Sequence, residues 1–178
     1  MPSTFLCLFL ALVVFSMDMD AQTAPPLNEA QFEEQYEWRV RQERLYGVYI
    51  PADLADVFVQ LNQKSDANGR ASFKALSEQQ AATLPFFSLG RWMAVNWGFY
   101  GGSRLTAYLN QMGLHHPDDM IRFLLVMYHR HLNKVPLDPK PVLEELLETR
   151  QQAEVSRLLE NGEILYEETR PRKVDGGL

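Results

Sequence analysis

The four histidines fall in two pairs, His115 with His116 and His129 with His131. Asp118 and Asp119 add carboxylates beside the first pair. These residue types can hold a metal, but their spacing opposes it. His116 and His129 are separated by about 20 Å along a helix rising 1.5 Å per residue. His129 and His131 are two apart and point to different sides. No metal site is expected. The turn 66–69 (DANG) resembles a fragment of a calcium loop. With Gly69 at loop position six, however, Lys64 and Ala75 occupy the two end positions that need carboxylates. Its composition reads as a plain turn.

Ser103, with His116 or His129 and Asp119, has the residue types of a hydrolase triad, which chance supplies in most chains of this length. No G-x-S-x-G, P-loop or G-x-G-x-x-G is present. No catalytic residue is assigned and no cofactor is expected. A second cluster has more to offer. Trp92, Asn96, Trp97, Tyr100, Ser103 and Arg104 surround a glycine turn, while His116, Asp119, Tyr128, His129, Arg130 and Asn133 lie on or beside one apolar helix. Buried polar groups need partners, and Arg104 can pair with Asp118 or Asp119 in a bidentate contact. Two readings stand. The cluster is a pocket for a ligand or partner, or it is an internal hydrogen-bond network that fixes helix packing.

Elements must position these residues. Asn28, with Gln31 three residues on, starts a charged outer helix that Gly47 ends. Ile50-Pro51 begins a second helix with a stripe of Leu54, Val57, Phe58 and Leu61. A turn over 65–70 follows, then short helical pieces over 72–84, with Ser77 as a cap. Pro85 opens a helix bearing Phe86, Leu89, Met93 and Trp97. After GFYGG, Ser103 caps another, and Pro117 opens a helix apolar on nearly every side, which must be buried. A last helix over 142–161 carries several glutamates, and its leucine spacing lapses at 150–154, so it is no coiled coil. No stretch alternates with period two. The fold class is all-α: a small compact helical domain around a buried central helix, flanked by two more polar amphipathic helices.

Composition bounds the rest. The chain has 178 residues, 46% hydrophobic and 22% charged, which excludes wholesale disorder. A net charge of -6 makes it a poor nucleic-acid binder. Its single cysteine, Cys7, excludes a disulfide framework. Residues 5–15 (FLCLFLALVVF) form an apolar run too short to span a bilayer and suited to a signal peptide, with cleavage after Ala21. An uncleaved N-terminal segment would instead be the chain's contact with a membrane. The expected organisation is a signal peptide over 1–21, a linker and helix over 22–49, a core domain over 50–137, a helix over 138–162 and a disordered tail over 163–178.

Asn96-Trp97-Gly98, Gly102-Ser103-Arg104-Leu105, His116-Pro117-Asp118-Asp119-Met120, Tyr128-His129-Arg130 and Leu132-Asn133, preceded by Ile50-Pro51-x-Asp53-Leu54, resemble a bacterial family, domain of unknown function 6794. The resemblance covers about 50–137. It implies a discrete domain and a bacterial source, and it transfers no activity.

The expected function is a secreted or periplasmic, non-enzymatic binding module engaging a protein partner or small ligand. Its binding residues are Trp97, Arg104, His116, Asp119, His129 and Arg130. In this reading Arg104 and Asp119 orient the turn, while Trp97 and His116 touch the partner. Replacing either of the latter two should then leave the melting temperature unchanged. The alternatives are a hydrolase-like enzyme with His116 or His129 as general base and an Asp orienter, or a toxin-immunity or inhibitor protein.

Overall fold

Capping side chains decide where the helices begin. In the computed structural model, which describes residues 26–160 and Gly162, Asn28 accepts a bond from the Gln31 N–H and starts α1 (Glu29–Val40). Asp53 caps α2 (Leu54–Lys64), Asp66 caps α3 (Ala67–Lys74) and Ser77, in a capping box with Gln80, starts α4 (Glu78–Thr83). A π-helical turn, Phe86–Gly90, leads into α5 (Arg91–Asn96). Ser103 and Thr106 box the start of α6 (Arg104–Gln111), and His116 caps α7 (Pro117–Asn133). The last helix is α8 (Lys140–Glu160). Each cap satisfies backbone N–H groups that the helix itself leaves free. The expected signal segment, most of the linker and the tail lie outside the described residues.

Three sequence expectations are corrected. α1 stops at Val40, not at Gly47, and the chain turns back as a two-stranded hairpin, β1 (Arg44–Leu45) against β2 (Val48–Tyr49). Tyr46 (φ 50°) and Gly47 (φ 80°) are both left-handed, as a two-residue hairpin turn of this hand requires. Tyr-Gly lacks the usual Asn-Gly signal, which hid it. Pro51 precedes α2 by three residues, because Asp53 is the cap. The turn expected over 65–70 is the start of α3, with the Asp66 carboxylate accepting from the Gly69 N–H at 2.6 Å.

α7 is the centre. Ten of its residues are buried, from Asp119 to His129, and it packs against α2, α3, α4, α5, α8 and the π-helical turn. Val57, Phe58 and Leu61 of α2, Met93 and Trp97, and Leu105 and Leu109 of α6 close the core around it. α1 buries no residue fully, yet it is tied down. Its Arg39 Nη1 donates to the Gly101 carbonyl at 3.0 Å, and its Tyr36 ring lies on Gly102, where any Cβ would overlap it. Gly102 also has φ 88°, so glycine is required there twice over. No helix among the described residues is long and apolar enough to cross a membrane.

Candidate functional site

The six residues singled out from the sequence do not share one surface. Trp97 is 0% exposed in the core, stacked edge-on against Trp92 at 5.5 Å. Its Nε1 is buried and makes no hydrogen bond among the described residues. In this structure it offers no surface to a partner. Arg104 does not reach Asp118 or Asp119. As the first residue of α6 it faces the hairpin, donating from Nε to the Ile50 carbonyl at 2.7 Å and lying 5.0 Å over the Tyr49 ring.

Asp119 turns instead to α8. It is 3% exposed, and both its oxygens accept from Arg150, with Nη2 to Oδ1 at 2.8 Å. The Asp119 carboxylate, by its direct hydrogen bond first, and the charges of Asp118 and Glu154 hold the Arg150 guanidinium above its ordinary pKa. His116 stays half-exposed and uses Nδ1 to accept from the Asp118 N–H at 3.2 Å. His129 is buried, with Nε2 2.8 Å from the Leu76 carbonyl. Arg130 forks onto Glu78 of α4, Nε to Oε2 at 2.8 Å and Nη2 to Oε1 at 2.6 Å. That fork raises the Arg130 pKa and lowers that of Glu78. The triad types are separated too, since Ser103 bonds Thr106 while His116, His129 and Asp119 bond the partners just named. For Arg104, Asp119, His129 and Arg130 the internal-network reading of the cluster describes the geometry.

An apolar groove lies elsewhere. A groove of about 840 Å³ opens between α2, α3, the Leu84-Pro85 corner and α5. Its floor is aromatic and aliphatic. Tyr128 of α7 stacks on Phe73 at 5.5 Å, with Leu61 and Leu76 beside them. Leu89 and Trp92 form the facing wall. The Tyr128 hydroxyl donates to Asn62 Oδ1 at 3.0 Å, so its polar end is already satisfied. The groove exists because α3 and α4 are short and polar. Neither α4 nor α3 carries enough apolar bulk to cover this face of the central helix. Leu84 consequently remains 65% exposed at the corner.

Charge at the groove is one-sided. Lys64 and Arg70 line it, and no aspartate or glutamate among the described residues does. The Lys64 amine sits 5.1 Å over the Trp92 ring. Arg70 Nη1 donates to the carbonyls of Asn62 (3.0 Å) and Ser65, which fixes the guanidinium at the rim. Neither cation forms an ion pair among the described residues.

Sequence reasoning placed Trp92 and Tyr128 in its polar cluster but missed the groove. The available signal was the pairing of Lys64 and Arg70 across the Asp66 cap, followed by the run Leu84-Pro85-Phe86-Phe87, too apolar for a connector.

Comparison with known proteins finds one family model that matches part of the chain. Residues 50–132 match the family described as a domain of unknown function (DUF6794). The sequence resemblance over 50–137 is to this family. No curated protein and no solved structure matches the chain. Every residue lining the groove falls inside the DUF6794 segment, whereas Arg150, Tyr36 and Arg39, which brace it from outside, do not.

Proposed function

We propose that this protein is a non-enzymatic binding module of the bacterial envelope, and that its ligand occupies the groove between α2, α3 and α5. The observation that carries the reading is the groove itself. It has an aromatic floor, a volume in the range of small-molecule sites and few polar groups at its edge. The engagement of His116, His129 and Asp119 in structural bonds supports a binding role over a catalytic one. The apolar segment 5–15 supports export to the envelope.

The test is a fluorescence titration of the full chain with the uncharged apolar dye N-phenyl-1-naphthylamine. The comparison is Ser72→Trp, which adds bulk at the groove lining from an exposed position without removing a buried group. The wild type should bind one equivalent saturably. Ser72→Trp should weaken binding at least tenfold with an unchanged melting temperature. Binding indifferent to this substitution would place the dye elsewhere and refute the assignment.

A further inference from the structure

The charge at the rim says more about the ligand, on the footing that the groove is the binding site. We infer that the groove takes a single-chain anionic amphiphile, a free fatty acid, with its carboxylate on Lys64 and Arg70 and its alkyl chain along Tyr128, Leu89 and Trp92.

Three observations converge on that class. First, the chain carries a net charge of -6, yet among the described residues the groove lining holds two cations and no carboxylate. Such a local reversal of sign attracts an anion against the field of the whole molecule. Second, Arg70 is held by one end only. Nη1 is anchored on two carbonyls, while Nε and Nη2 make no hydrogen bond among the described residues. An Arg side chain presents its donors as a planar fork that suits a carboxylate. Lys64 is tethered over Trp92 without an acidic partner, so its charge stands at the mouth of the apolar channel. Third, the volume of about 840 Å³ fits one small molecule. The lining below the cations is aliphatic and aromatic, which suits methylenes and rejects a second charge.

Displacement of N-phenyl-1-naphthylamine from the full chain separates the outcomes, using decanoate, decanol and decyltrimethylammonium below their aggregation limits. Decanoate should displace the dye about tenfold better than decanol, and the cation should be weakest of the three. Octanoate should bind about fourfold more weakly per methylene removed. Lys64→Met with Arg70→Met should bring decanoate down to decanol while leaving decanol within twofold. Equal affinity for decanoate and decanol in the wild type would overturn the fatty-acid assignment and leave the groove reading intact. Failure of the dye to bind at all would remove the groove reading itself.

The chain's own residues 5–15 are the rival occupant. Full-length Leu8→Glu with Leu12→Glu should bind dye and decanoate as the wild type does. A tenfold gain in that variant would show that the segment fills the groove and would overturn the assignment.

Discussion

A carboxylate as buried as Asp119 needs a cation, and it takes one from a helix outside the family segment. Arg150→Leu leaves that carboxylate, among the described residues, with only Arg122, 3.8 Å away, and should cost about 2–3 kcal/mol in urea unfolding. The charge is buried on one side of the pair and partly solvated on the other, which keeps the loss below that of a fully buried pair. Trp97→Ala empties a core site and should cost about 3–5 kcal/mol. A Trp97→Ala protein melting like the wild type would contradict its placement. The sequence shows that Asp119 and Arg104 need partners, because polar groups beside an apolar helix do. It does not show which partners. Arg150 lies 31 residues away, and only the path of 134–140 sets where α8 returns. The burial of Trp97 is hidden in the sequence for a related reason: an aromatic beside glycines looks like a surface platform until the helices that cover it are placed.

Several helix starts, though not those of α2 and α3, were legible because capping is a local code. Asn28, Ser77, Ser103 and Pro117 all act where their spacing indicated. Helix ends were less so, since the Tyr46-Gly47 turn adopts a left-handed pair without the usual residues. The contact of α1 with the glycine turn depends on Gly102. Gly102→Ala should lose more than 1 kcal/mol through both its positive φ and the Tyr36 overlap. In a Tyr36→Ala background the overlap is gone and about 1 kcal/mol should remain, so a double-mutant cycle measures the clasp. α4 is held to α7 by Glu78 and Arg130, and the sign of its pH dependence is fixed. Arg130 lowers the Glu78 pKa from its ordinary 4.5, so the stabilisation is present above that value and is lost as pH falls through the lowered one. The stability gap between wild type and Glu78→Gln should be open at pH 7 and shrink progressively below about pH 4.5. A gap that stays constant down to pH 3 would show that the pair does not couple α4 to α7.

At the scale of the molecule, the all-α fold around one buried helix was readable from periodicity, since α7 is apolar on nearly every side and buries ten of its residues. The groove was not readable. It is made by what α3 and α4 fail to cover, and a shortage of apolar bulk leaves no motif. A ligand bound only by the folded chain must stabilise it. At a hundredfold excess over Kd the gain is about 2.7 kcal/mol, or roughly 5–10 °C in melting temperature. Decanoate at that concentration should therefore raise the wild-type transition and raise that of Ser72→Trp, tenfold weaker in binding, by no more than about half as much. The most direct test is a map of backbone amide NMR shifts on titration with decanoate. The account predicts perturbations concentrated at Leu61, Lys64, Arg70, Phe73, Leu89 and Trp92. Shifts centred on His116 and Arg130 instead, or none at saturating ligand, would contradict it.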